Sequence, residues 1–293
     1  MAGANAWLLD RRGPRIALMA LLFPLPLLAI VSAAIAVSTA TTQGLRVAIA
    51  DGIAAAVLLA ILTAVGGGFW MQIGLGAALT WGLAAMLGQL RRVGSLDLAV
   101  QSAVLLGFVA VVAFTAWSRD PQAYWEGVLV DLVDRARALG LELGADDLVP
   151  EAAQLMTGMM SASAVGSALG ALFLGSWWAG ARDGRRFGDE FQALRMGRVL
   201  GAIAGVTGLL LLTGLRPLVD DLLLVLGLGF VVQGLAVLHW HGARRSWPRL
   251  WPVAVYLPLA LVPALAALEL LALALLGLAD NGYRLRRFGN NVV

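Results

Sequence analysis

Few side chains in this sequence can do chemistry, and most of those sit inside apolar runs. Glu269 is the single charge between Leu265 and Leu276. A charged side chain at the bilayer centre costs about 2.5–3.5 kcal/mol on insertion scales, so such a residue has either a partner or a task. It reads as a proton or cation site or a solute ligand, or as an acid hydrogen-bonded to a neighbouring helix. Asp51, in Val47–Ala55, reads as a cavity residue or as an interfacial acid near Arg46. Gln233 sits mid-run between Leu222 and His239, either as a solute ligand or as an interhelical hydrogen bond. His239 and His241 are one residue apart and point to different helix faces, which favours the membrane edge over a metal site. No Ser-His-Asp order, HExxH or aspartate pair on one apolar helix is present, so the expectation is a protein that is not an enzyme.

Composition narrows this further. Of the 293 residues 60% are hydrophobic and 13% charged, whereas a soluble domain is about a quarter charged. The 21 basic residues are all arginine and cysteine is absent. Lysine Schiff bases, lysine phosphate loops, disulfides, thiolate catalysis and cysteine-bound metals are therefore excluded. No cofactor or metal is expected. A net charge of +3 implies no nucleic-acid partner, because the arginines flank apolar runs, where they set topology.

The elements carrying these residues are apolar segments near the ~20 residues that cross a bilayer. They fall at about 16–37, 47–65, 69–90, 98–117, 154–180, 199–215, 222–240 and 252–278. Backbone groups at that depth have no water to bond, so each is expected to be a helix. The fold class expected is an all-α polytopic membrane protein: a bundle of about eight transmembrane helices with one amphipathic extracytoplasmic insert. It forms one membrane domain, 1–293, with an N-terminal tail at 1–15, the insert at 118–153 and a C-terminal tail at 279–293. Gly66-Gly67-Gly68 reads as a tight turn. Pro24, Pro26, Pro258 and Pro263 make the first and last segments bent or partial. The first is expected to be a retained helix rather than a cleaved signal, although Ser38-Thr39-Ala40 resembles a cleavage site. In the insert, Trp125, Val128, Leu129, Leu132, Ala136 and Leu139 share one helical face. Eight carboxylates oppose three arginines between Arg119 and Glu151.

Arginines in short loops stay cytoplasmic. Ten of them, at 91, 92, 182, 185, 186, 195, 198, 244, 245 and 249, fall on one side of the expected threading, in a multi-pass protein of a bacterial inner membrane. Eight charges crowd Arg182–Arg198, which reads as a cytoplasmic anchoring loop. Phe187, Phe191 and Leu194 lie in the interface, and Arg195 and Arg198 meet lipid phosphate. Arg185 and Arg186 offer a docking surface. Glu190 with Arg186, and Asp280 with Arg284, have ion-pair spacing. The chain ends break the scheme: three full crossings before Arg91 would place Arg11, Arg12 and Arg15 outside, and a full last crossing would place Arg284, Arg286 and Arg287 there. Trp177, Trp178, Trp247 and Trp251 read as an aromatic belt, and the Gly166/Gly170 and Gly201/Gly205 pairs as close helix contacts.

Several runs carry a family likeness. They are Pro24-Leu25-Pro26, Trp177-Trp178, the run Arg185–Arg195 with its Phe-Gly-x-Glu-Phe-x-x-Leu-Arg pattern, Val232–His239 with Gln-Gly-Leu-Ala-x-x-His, and Leu276–Asp280 with Arg286-Arg287. Over about residues 20–288 the chain resembles the YybS-like family of predicted bacterial membrane proteins, proteobacterial branch. It departs from that family after Trp178, where an Asn-Pro-Gly-Gly run is replaced by Arg182–Arg186. The family is distantly similar to the S components of energy-coupling-factor importers. The resemblance implies a transport-like fold and carries over no substrate and no catalytic residue. With the buried polar residues it gives the first expectation, a solute-binding or transport-related protein in which Glu269, Gln233 and Asp51, read from their places in apolar runs, are candidate substrate ligands, and membrane lipid, a solute or a membrane-protein partner are the contacts. The alternative is a non-transport scaffold or assembly partner acting through the Arg-rich loops.

Overall fold

The computed structural model describes residues 11–65, 70–141, 148–245, 247–283 and 285–288. The Gly66-Gly67-Gly68 turn, Arg284 and the outermost tails lie outside them. Among the described residues every regular element is a helix. They are α1 (Arg12–Leu22), α2 (Pro26–Gln43), α3 (Leu45–Val65), α4 (Trp70–Val93), α5 (Leu96–Ser118), α6 (Pro121–Ala138), α7 (Val149–Asp183), α8 (Phe187–Ala193), α9 (Gly197–Leu210), α10 (Arg216–Arg244), α11 (Trp251–Leu261), α12 (Pro263–Tyr283) and α13 (Leu285–Phe288). Seven are long and apolar enough to cross a membrane, or eight if α8 and α9 form one bent span. The chain is thus an all-α, multi-pass membrane protein.

The chain clusters into two compact units. They are Met1–Ala103 with Gly166–Leu194, and Val104–Val165 with Arg195–Val293.

In the first unit the segment 16–37 is not one crossing. Leu25 is extended (φ −95°, ψ 115°), as a residue before proline must be, and Pro26 opens α2 as a ready-made first-turn residue. The chain folds back there. Ser32 Oγ donates to the Met19 carbonyl at 2.7 Å, Trp81 Nε1 donates to Ser32 Oγ at 2.9 Å, and Phe23 packs edge-on to Trp81. Gly44, at φ +101°, closes α2 with its N–H on the Thr39 and Ala40 carbonyls. That backbone conformation favours glycine. The next helix, α3, leaves from the end that α1 enters by. Leu45 N–H donates to Gln89 Oε1 of α4 at 3.2 Å. Arg12, Arg15, Arg46, Arg91 and Arg92 therefore gather at one end of this unit: the first apolar segment does not cross completely, so Arg12 and Arg15 do not fall opposite Arg91. A Cβ on Gly88 would lie 2.6 Å from the Val37 carbonyl, and one on Gly175 2.5 Å from that of Ala34. These glycines let helices touch along their backbones.

In the second unit α10 and α12 run antiparallel in close contact. A Cβ on Gly234 would fall 2.1 Å from the Leu273 carbonyl oxygen, and one on Gly277 2.0 Å from that of Phe230. The segment 252–278 is split: Val262 is extended ahead of Pro263, so α11 is an 11-residue helix and only α12 has spanning length. Glu269 accordingly lies in the second turn of α12 rather than midway along one long helix. Asp120 caps α6, accepting from Ala123 N–H at 3.0 Å. The packed face of α6 is Trp125, Leu129, Val133 and Ala136, one step round from the expected face, so Val128, Leu132 and Leu139 are exposed. Trp125 Nε1 donates to Thr157 Oγ1 at 2.9 Å, and the rings of Phe114, Trp117, Tyr124 and Trp125 pack together.

Candidate functional site

The densest buried polar arrangement surrounds the start of α9. That helix has 14 residues, about 21 Å at 1.5 Å per residue, too short for a 30 Å hydrocarbon core. It starts not at an end of the unit but beside the interior of α10, in the segment Leu194–Met196. Leu194 and Met196 are buried, and Gly197 turns the chain at φ +73°, a left-handed conformation that an L side chain rarely adopts.

A helix start leaves backbone N–H groups without helical partners, and lipid supplies none. Here α10 supplies one. Met196 N–H donates to Gln233 Oε1 at 2.9 Å. Gln233, wholly buried, donates through Nε2 to Asp280 Oδ2 at 2.8 Å. Arg286 completes the chain, with Nη2 on Asp280 Oδ2 at 2.7 Å and Nε on Oδ1 at 3.3 Å. On the other side of the interruption Asn281 Nδ2 donates to the Gly197 carbonyl at 2.9 Å. The close approach of α10 to α12 at Gly234 and Gly277 is what brings Gln233 within reach of Asp280. Beside this network lies a cleft of about 420 Å³ lined by Arg198, Gly201, Leu278, Asn281 and Gly282.

The sequence-derived candidates are placed as follows. Asp51 is fully buried, but Arg46 is exposed and is not its partner. Arg12 Nε donates to Asp51 Oδ1 at 2.7 Å and Arg15 Nε to Oδ2 at 2.8 Å, with Arg15 Nη2 also on Oδ2. Residues 46 and 51 are five apart, which puts them on different helix faces. Asp280 pairs with Arg286; the expected partner Arg284 lies outside the described residues. Arg286 is 5% exposed; paired and buried, it is not a free surface charge that would bias threading.

Glu190 pairs not with Arg186 but with Arg91 of α4, at 2.8 Å, and sits 3.9 Å from Arg185. Arg186 precedes α8 in an extended conformation, so helical spacing does not apply to it. Arg185 Nη1 donates to the Arg91 carbonyl at 3.4 Å. The expected anchoring loop is thus partly helical, and its aromatics turn inward: Phe187 and Phe191 pack on Phe173, and Leu194 is buried. Arg195 is half-buried and has an interaction of its own.

Glu269 is half-buried on α12 between exposed Leu268 and Leu270 and makes no hydrogen bond or ion pair with the described residues. Gln233 and Asp280 come together, whereas Glu269 does not join them; Asp51 belongs to the first unit. His239 Nε2 is 2.9 Å from the Tyr256 hydroxyl, His241 Nδ1 is 2.9 Å from the Val237 carbonyl, and Trp247 packs on Trp251. Among the described residues no three His, Asp or Glu side chains converge as metal ligands. Gly201 lies close under Asn281, while Gly205 faces open space.

Asp220-Asp221 reads in sequence as an acidic pair opening a helix, which does not foretell that Asp221 is a buried carboxylate accepting the Gly158 N–H at 2.9 Å. Sequence reasoning missed the buried arginines 15 and 91. The legible signal for Arg15 was Arg12 three residues before it, one arginine row on one helix face.

Compared with models of protein families, with curated proteins and with solved structures, the chain matches none.

Proposed function

We propose that this chain is a solute-handling, transport-related protein of a bacterial cytoplasmic membrane that binds its solute without altering it chemically. One observation carries the reading: α9 starts in the interior of its unit, with its first backbone groups held by Gln233 and Asn281 and an open cleft beside them. Irregular backbone at membrane depth is tolerated where it is buried in protein or lines a cavity, and interrupted helices are a recurring way to build solute sites in transporters. The resemblance to the YybS-like family and its distant S-component relatives agrees with this reading. The exposed Arg12, Arg46 and Arg92 at one end of the first unit set that end toward the cytoplasm. The network Gln233–Asp280–Arg286 holds the interruption in shape, and the solute contacts come from the cleft. Glu269 is not part of that cleft.

The reading is tested with single thiols, since the native chain has none. Leu278→Cys in oriented vesicles should react with a membrane-impermeant maleimide from one side, because a solute cleft is wet. No reaction from either side, alongside reaction with a membrane-permeant reagent, would contradict it.

A second reading, a membrane assembly partner, is favoured by Glu269: a carboxylate on a largely exposed helix suits a basic or hydroxyl group on another membrane protein. On that reading Glu269→Leu, or charge reversal of Arg185 and Arg186, strips a defined partner from the purified protein. An unchanged set of co-purifying proteins would count against it.

A further inference from the structure

We propose that the cleft between the start of α9 and the end of α12 binds the phosphate group of a net-anionic amphiphile, one without a compensating cation in its headgroup, with Arg198 as its principal ligand. The proposal rests on the solute-handling reading and names the class of solute. Three independent observations meet there. First, Arg198 lines the cleft, is exposed, and forms no ion pair among the described residues. The nearest acid on α12, Asp280, already holds Arg286 and Gln233. A guanidinium in a membrane-spanning bundle without an internal counter-charge is matched by an anion from outside the chain.

Second, the N-cap residue Met196 provides no side-chain cap to α9, and the start of a helix presents N–H groups and a positive dipole end that favour phosphate oxygens. Asn281 adds an amide whose second hydrogen is not used by the Gly197 carbonyl. Third, the surface leading away from the cleft is apolar. Val199, Val206 and Leu209 recur along α9 at helical spacing and are largely exposed, as is Leu212 beyond its end. A bare inorganic anion has no use for that stripe, whereas an acyl or prenyl tail lies along it.

Depth is compatible. Gln233, level with Met196, is seven residues from Trp240, about 10 Å along α10. With Trp240, Trp247 and Trp251 marking the interfacial belt, an arginine of this reach meets a phosphate drawn slightly inward.

Two variants separate charge from shape. Arg198→Gln removes the ligand charge. Gly282→Leu fills the cleft, since a Cβ on Gly282 meets nothing within 4 Å and the fold has room for it. The full chain in phosphatidylcholine nanodiscs is titrated in one arm with phosphatidylglycerol, followed by native mass spectrometry of retained lipid, and in the other with inorganic phosphate, followed by calorimetry. The expected result is saturable binding in the lipid arm, weakened at least ~10-fold by either variant, with thermal stability in plain phosphatidylcholine unchanged. Saturable binding in the phosphate arm alone, with the same loss, would keep the anion site and remove the amphiphile. No saturable binding in either arm, or binding indifferent to both variants, overturns the proposal. The thiol test at position 278 is read separately: variant-sensitive binding with a dry Leu278→Cys keeps the phosphate site and removes the transport reading.

Discussion

The buried carboxylates Asp51 and Asp280 are both held by arginine, yet they do different jobs. Asp51 takes two guanidinium groups, Arg15 buried and Arg12 largely exposed, and ties one intact helix to another. Its hydrogen bonds come from side chains and not from main-chain groups. Asp280 takes one guanidinium and one amide, and its network ends on a main-chain N–H that has no helical partner. The first arrangement staples two finished helices. The second supplies what an unfinished helix lacks. A buried ion pair alone contributes little net stability against a well-packed apolar replacement, so the staple is dispensable as a pair, whereas the network at α9 is not.

That contrast can be broken most forcefully at the acids. Asp280→Leu leaves Arg286 buried without its counter-charge and Gln233 without its acceptor, and should cost about 3–5 kcal/mol in reversible unfolding in mixed micelles. Asp51→Leu should fall at the lower end of the same ~3–5 kcal/mol range, because Arg12 can turn to water. The double changes sharpen the difference. Asp51→Leu with Arg15→Met should recover to within about 1 kcal/mol of the native protein. Asp280→Leu with Arg286→Met should not, since the Gln233 amide remains without its acceptor. Equal recovery in the two cases would erase the distinction.

Smaller effects probe the scaffold around the network. Gly277→Ala drives a methyl into the Phe230 carbonyl and should cost about 1–3 kcal/mol by forcing α10 and α12 apart. A tryptophan-free background carrying one reporter at the α10–α12 contact would register the separation. Gln233→Leu keeps the volume but leaves the Met196 N–H unanswered, at about 1–3 kcal/mol. Trp125→Phe, far from both acids, keeps the aromatic cluster and loses only the hydrogen bond to Thr157. It should cost at most about 1 kcal/mol, and a larger loss would mean that α6 is structural to the whole unit.

The long helices were legible because lipid leaves the backbone no alternative: α3, α4, α5, α7 and α10 all contain the apolar runs that announce them. The fold-back of α1 onto α2 was not, although Pro24 and Pro26 marked a bend. A bent crossing and a hairpin share the same local sequence, and the contact that decides between them, Ser32 with Met19, is tertiary. The same limit explains the ion pairs. Proximity and spacing offered Arg46 and Arg186 to Asp51 and Glu190, and each carboxylate instead found arginines far along the chain, Arg12 with Arg15 and Arg91. Gln233 stood out as a polar residue in an apolar run, but its task could not be read, because the interruption at Leu194–Met196 looks in sequence like one more hydrophobic stretch. The charge of Arg182–Arg198 drew attention to the right neighbourhood and suggested a loop where a short helix and a buried break occur.

The central claim is that Gln233 satisfies the interrupted backbone at the start of α9. It is tested most directly by hydrogen exchange at the Met196 amide in the native protein and in Gln233→Leu, in lipid nanodiscs. A slowly exchanging amide is expected in the native chain and roughly 5- to 150-fold faster exchange in the variant, the factor that corresponds to a loss of about 1–3 kcal/mol. Equal protection of the Met196 amide in both proteins would contradict it.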